Sequence, residues 1–314
     1  MSVALRLLDR ALTMIGPRRS AILCLHSVCA GSPHILDAMA IEAAFLERLI
    51  IGLRAMGYAI VSLSAALARL RERDSRAFVA LTFDDGFADN HDVAFPILMR
   101  LDAPATIFVT SGLVERTAPC WWAALGALFA AHDRLDFRGE PIALASLRDK
   151  QAALARFDRL FRTQPTARTT ADLAALAAGA RAPPDPFGYA LTWPMIRAMT
   201  TSGLIDIGAH GVTHRQLSAL DEATAAWEIT QSRRLIAHRL DAPVRYFAYP
   251  FGQMHEIGVG AAHLARRAGY QAAFTTMRRG LRAADLHAPH ALPRIMIGRR
   301  GQNVVRQRVV LQHV

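Results

Sequence analysis

Two aspartates stand side by side in Thr82-Phe83-Asp84-Asp85-Gly86, at the end of an apolar run. Adjacent carboxylates in such a place repel each other and lose hydration, which is costly unless something compensates them. A divalent cation would do so, with one Asp ligating it and the neighbour left free as a base. The alternative is an Asp-Gly turn in which Asp85 caps the next helix. A second signal, His210-Gly211-Val212-Thr213-His214, follows another apolar run. Imidazoles at i and i+4 share a face if the segment begins a helix, so the pair can converge on one ion. With Asp85 they make a His₂-carboxylate set with open positions, the arrangement expected of a hydrolytic metal site. A third signal is Arg245-Tyr246-Phe247-Ala248-Tyr249-Pro250-Phe251-Gly252. Pro250 and Gly252 fix a turn there, which either aims backbone N–H groups at a substrate oxygen or simply ends a strand.

These groups need elements to hold them. Apolar runs rich in β-branched or aromatic residues occur at Ala21–Val28, Phe78–Gly86, Ala105–Gly112, Leu204–Gly211, Tyr246–Gly252, Ala272–Met277 and Leu292–Ile297. They are continuous rather than alternating, as buried parallel strands are. Helical patterns lie between them at Ile41–Met56, Asp221–Leu240 and Ala261–Ala268. Strands alternating with helices predict an α/β fold with right-handed crossovers. Glu115–Gly188 breaks the rhythm. It shows helical patterns around Trp121–His132 and Leu147–Phe161, then a Pro-rich stretch, and no strand of the same kind. We read it as a mainly helical insertion between two βα units.

Composition narrows the classes. The chain has 314 residues, 52% hydrophobic and 20% charged, which excludes a disordered chain and leaves ample material for a core. Its three cysteines, Cys24, Cys29 and Cys120, make neither a disulfide framework nor a zinc cluster. The net charge of +11 comes almost wholly from arginine, Lys150 being the only lysine, and some of the arginines stand in scattered pairs. No nucleic-acid-binding motif accompanies them, so no nucleic-acid partner is expected. Residues 1–20 read as an amphipathic helix rather than a signal peptide, because Arg6, Asp9 and Arg10 interrupt the apolar segment. No apolar stretch reaches the length of a transmembrane helix. The expectation is a cytoplasmic protein, with peripheral contact to the inner membrane through the N-terminus or the basic tail at 299–314.

The order TFDDG, HGVTH, RYFAYPFG resembles the polysaccharide deacetylase family, also called the NodB-homology or fourth carbohydrate esterase family. Leu25-His26-Ser27-Val28 is similar to its early strand, and LPRIMI resembles a late strand in members linked to exopolysaccharide loci. The resemblance covers residues 20–298 apart from the insertion. It implies a distorted, TIM-barrel-like (β/α)₇ barrel, with a domain over 21–298 and the insertion at about 115–188. Position by position, Asp85, His210 and His214 match the metal ligands and Asp84 the catalytic base. Phe251 sits where a backbone amide helps hold the oxyanion, and Tyr249, Pro250 and Gly252 flank it as substrate-binding positions. The implied cofactor is a divalent metal, usually Zn²⁺, although Co²⁺, Ni²⁺ and Mn²⁺ suit the same donors. The implied substrate is an N-acetylated oligosaccharide, polysaccharide or lipid-linked glycan.

The chain also departs from the pattern. LPRIMI lacks the late histidine that serves many members as general acid, which leaves His26, His287 and His290 as substitutes. His26 is favoured because it sits at a strand's C-terminal end, where barrel active sites are built. Ala248 stands where many relatives carry an arginine that orients the base, and Arg245 is no positional match. Trp121 and Trp122 on the insertion read either as core or as a platform for sugar rings. Two rival functions share this sequence. One is a deformylase or small-molecule amidohydrolase on the same fold, and the other is a catalytically silent glycan-binding protein.

Overall fold

The computed structural model describes residues 20–31, 36–72, 76–180 and 183–298. The segments at 1–20 and 299–314, read as a helix and a basic tail, lie outside the described residues save for Ser20. The strands are β1 (Ala21–Leu25), β2 (Val28–Cys29), β3 (Ile41–Glu42), β4 (Ala59–Ile60), β5 (Phe78–Phe83) and β6 (Ala105–Val109), then β7 (Arg134–Phe137), β8 (Glu140–Ala143), β9 (Ile205–Ala209), β10 (Tyr246–Ala248), β11 (Ala272–Phe274) and β12 (Ile295–Met296). Helices longer than one turn are α1 (Ala43–Ala55), α2 (Leu63–Arg71), α3 (Phe95–Arg100), α4 (Trp121–Ala131), α5 (Leu147–Phe161), α6 (Thr166–Ala177), α7 (Trp193–Thr201), α8 (Glu222–Leu240) and α9 (Ala261–Arg267).

Each of the seven apolar runs contains a strand of one parallel sheet, ordered β11-β10-β9-β6-β5-β1-β12, with β4 beside β5. The sheet curls until a bridge from Phe274 to Leu292 brings its two end strands together. Both faces are covered, which is why the strands show no alternation. On β5, Val79, Leu81 and Phe83 join the core under the outer helices, whereas Phe78 and Ala80 join an inner cluster with Ile22, Phe108 and Phe274. Continuing that inward parity puts Thr82 and Asp84 on the inside.

The insertion is mainly helical, as expected, in α4, α5 and α6, but it also carries an antiparallel hairpin of β7 and β8, turned by Arg138 (φ 60°) and Gly139 (φ 84°). Two successive residues at positive φ match the hairpin's twist. Leu135, Phe137 and Ile142 alternate into the insertion's own core with Phe129, Phe157 and Phe161. A search for continuous apolar runs misses strands that bury only one face. The insertion docks on the body where Gln216 N–H donates to Arg162 O (2.8 Å), immediately beyond the second histidine.

Candidate active site

The first motif leaves β5 at its C-terminal end. Asp84 N–H still donates to Leu25 O at 2.9 Å, and Asp85 (φ 74°) and Gly86 (φ 79°) then turn the chain sharply. Asp84 faces inward and takes a two-pronged contact from Arg294, Nη1 to Oδ1 and Nη2 to Oδ2, both 2.6 Å. Arg294 is wholly buried. It also donates to Thr82 Oγ1 (3.1 Å) and Thr275 O (3.2 Å), and the Cys24 thiol lies 3.3 Å from Asp84 Oδ2. Burial raises the Asp84 pKa, but the charge and hydrogen bonds of Arg294, with His210 and His26 nearby, together outweigh it and hold the carboxyl at about 2. Asp84 is therefore an ionised, rigidly held acceptor at neutral pH.

The second motif is an irregular loop, not the start of a helix as its spacing suggested. The histidines converge because Gly211 (φ 78°) and His214 (φ 57°) fold the segment back. Glu228 of α8, itself buried, accepts from the N–H groups of Val212 (2.7 Å) and Thr213 (2.9 Å) and from the Thr213 hydroxyl. His210 Nδ1 contacts Ala248 O at 2.7 Å, which fixes the ring and turns Nε2 to the centre. Asp85 Oδ1 lies 3.3 Å from His210 Nε2 and 3.1 Å from His214 Nε2. Burial opposes the Asp85 charge, yet His214 and His210 hold its pKa well below the usual range.

These three donors fit a cation better than one another. Among the described residues, Asp85 Oδ1 is buried with no aligned hydrogen bond, although two ring nitrogens are near it, and His214 Nδ1 is likewise unpartnered. Ligands about 2.0–2.1 Å from a common tetrahedral centre lie about 3.3 Å apart, close to the observed separations. Asp85, His210 and His214 are thus the residues that would hold a divalent ion.

The third motif divides. Phe251 (φ 63°) lines the cleft and packs its ring 4.9 Å from that of His214. Tyr249 turns into the main core, its hydroxyl donating to His290 O at 2.8 Å, and neither it, Pro250 nor Gly252 lines the cleft. Trp122 stacks obliquely on His214 at 4.3 Å, while Trp121 is buried against Phe161 and presents only an edge of the cavity wall. Asp85, His214 and Phe251 are all non-glycine residues at positive φ, so backbone strain gathers at this spot.

Of the three spare histidines only His26 is here. One ring nitrogen lies within 4.8 Å of an Asp84 oxygen, and its buried Nδ1 is unpartnered among the described residues. Burial, outweighing the nearby carboxylates, lowers its pKa and keeps the ring neutral. His290 Nε2 instead contacts Tyr270 O, and His287 is exposed. After Gly86 the chain enters a π-helical turn at Asn90–Ala94. Asn90 donates to His26 O (2.8 Å), and Asp89 accepts from Ser27 (2.5 Å), its carboxyl pushed up to about 6 by burial.

Sequence reasoning missed Arg294, Glu228 and Asp89. Arg245, weighed as a source of the orienting cation, is exposed at the opposite end of β10. The usable signal was the lone arginine inside LPRIMI, since a charge within an apolar strand must find a buried partner.

The family model for polysaccharide deacetylases matches residues 71–273. No curated protein matches the chain. Among solved structures it is similar to the Streptococcus pyogenes deacetylase PplD in complex with acetate, with 20% identity, TM-score 0.61, and 92% of this chain and 98% of that one covered. It is also similar to IcaB from Ammonifex degensii, at 19% identity, TM-score 0.58 and 93% and 97% coverage. A de-N-acetylase from Aggregatibacter actinomycetemcomitans aligns at 16% identity, TM-score 0.57 and 91% and 99% coverage. At such identities the likeness establishes the fold, a curled, mostly parallel α/β sheet, while the family match carries the kinship. The chain belongs to the polysaccharide deacetylase family, hydrolases that act on carbon–nitrogen bonds in carbohydrates.

Proposed function

We propose that this protein removes N-acetyl groups from a glycan or glycan precursor, with a divalent cation, Zn²⁺ first among the candidates, held by Asp85, His210 and His214. The observation that carries this reading is the pairing of a two-histidine, one-carboxylate donor set with a separate carboxylate, Asp84, that is kept ionised. The cation would supply Lewis acidity, polarising a carbonyl and acidifying water near neutral pH. Asp84 takes the proton of the attacking water, and the Arg294 fork fixes where that proton is received. Buried, neutral His26 then accepts this proton and passes it to the leaving nitrogen, a role supported by its ring nitrogen lying within 4.8 Å of an Asp84 oxygen. The Phe251 N–H, on its strained turn, is the donor assigned to the developing oxyanion, a class whose loss typically costs ~10²–10³ in rate. Acetate and a free amine result.

The test is acetate release from N-acetylglucosamine oligomers by the Zn²⁺-loaded protein, wild type against Asp84→Asn. Acetate from the wild type and a loss of ~10²–10⁴-fold in the variant are expected for removal of a general base. Undiminished release by Asp84→Asn refutes the assignment, and formate as the product moves the reading to a deformylase.

A further inference from the structure

The cavity does not end at the proposed metal centre. As an open cleft of about 1400 Å³ it runs on from Trp122 along α4 and α5 of the insertion, beyond the ~300–1,000 Å³ usual for a small-molecule site. We propose that this arm is a trough for an alkyl chain, so that the substrate is an acetylated sugar joined to a lipid; the inference deepens the deacetylase reading and rests on it.

The walls argue for this. From Ala123 to Ala131, α4 contains no side chain able to form a hydrogen bond. Leu125, Leu128 and Phe129 fill the insertion's core. The other side of the helix leaves Ala123, Gly126, Ala127 and Ala130 on the cavity. A helix edge facing water ordinarily carries polar residues, and one that is apolar all round has an apolar partner on each side. Beside it, α5, which packs on α4, adds Leu147 and Leu154 to the same wall, the former 41% exposed. Gln151 is the one hydrogen-bonding side chain on this stretch of wall until Asp158 and Arg162 near the inner end. A sugar laid here would bury hydroxyls without partners, whereas methylenes need none. Elsewhere the lining differs in kind, with Ser27, Asp37, Asp89, Gln253 and Thr276 offering polar groups to a sugar. Trough and centre share a wall, because Trp122 at the head of α4 packs on His214. The polar lining therefore takes the sugar and the trough the tail.

Gly126 offers a clean probe, since it lines the trough and a Cβ there would meet nothing within 4 Å, so a larger side chain is aimed into that space. The test compares octyl and methyl glycosides of N-acetylglucosamine on the Zn²⁺-loaded full chain, below the octyl glycoside's micellar concentration. Binding is read by tryptophan fluorescence and turnover by acetate release. Each buried methylene is worth about fourfold in affinity, so even a partly sheltered octyl group should bind at least about tenfold tighter than methyl. Gly126→Leu should bring that ratio toward unity. Equal binding of the two glycosides, or an octyl advantage untouched by Gly126→Leu, overturns the trough, whether or not acetate appears. A Gly126-dependent octyl advantage without acetate release leaves the trough standing and sinks the deacetylase reading instead. If light scattering shows a dimer that Gly126→Leu dissolves, the apolar face belongs to a second copy of the chain and the proposal falls.

Discussion

Replacing Arg294 by methionine keeps most of the side chain's length while removing the guanidinium that Asp84 depends on. In the wild type the Asp84 pKa is brought down from 3.8 to about 2, against burial that pushes it up. A depressed folded-state pKa stabilises the native protein above the unfolded value near 3.8, and the gain is lost as pH falls through about 2. By linkage the shift is worth about 2 kcal/mol at neutral pH. The variant forfeits this and exposes the burial penalty as well, and breaking a buried pair from one side typically costs about 3–5 kcal/mol. Urea unfolding at pH 7 should therefore show Arg294→Met destabilised by that amount. The double variant with Asp84→Asn should lose clearly less than the sum of the two singles, because no unpaired charge then remains. Without Arg294 the burial of Asp84 is opposed only by the nearby imidazoles of His210 and His26, so its pKa rises and the acid limb of kcat/KM moves to higher pH. Arg245→Ala, at the far end of β10, serves as the control and should stay within about 0.5 kcal/mol of wild type. Wild-type stability and an unmoved acid limb in Arg294→Met would show that Asp84 does not depend on this arginine.

Other expectations follow from the same geometry. Glu228→Gln weakens the charged acceptor that gathers the histidine loop, and Zn²⁺ affinity by isothermal calorimetry should fall about 10–100-fold, as for other residues that orient ligands; unchanged affinity would mean the loop holds its shape alone. His26→Gln should reduce kcat by about 10² or more, with the greatest loss for amides of the most basic leaving amines. An equal loss across leaving groups would deny His26 the proton transfer. Gly252→Ala meets Thr276 N at 2.9 Å and Cγ2 at 2.8 Å while holding φ at 82°. It should displace the Phe251 turn and cut kcat by about 10²-fold with little change in Zn²⁺ binding, and normal turnover would remove that amide from the oxyanion role.

Much of this architecture was legible because its physics is local. Strands buried on both faces must be continuously apolar, and each of the seven such runs became a strand of the sheet. TFDDG and HGVTH stood out because charged and imidazole side chains directly follow those strands. The hairpin at 134–143 was hidden because its alternation serves a small satellite core. The histidine loop shows the limit of spacing arguments, since i and i+4 suggested a helix but Gly211 and Glu228 bring the rings together another way. Arg294 stayed unassigned because its partner is 210 residues away, and no local pattern reveals which carboxylate a buried arginine meets. Tyr249 stands next to residues of the cleft in sequence yet faces the core, because successive residues leaving a strand point to opposite sides.

The most direct test of the account is the divalent metal content of the purified, dialysed protein after Zn²⁺ loading, wild type beside Asp85→Ala, His210→Ala and His214→Ala. The account predicts one tightly held ion per wild-type chain and a marked loss of it in each variant. Full retention in all three variants, or no tightly bound ion in a folded wild type, would contradict the claim that these side chains form a metal centre.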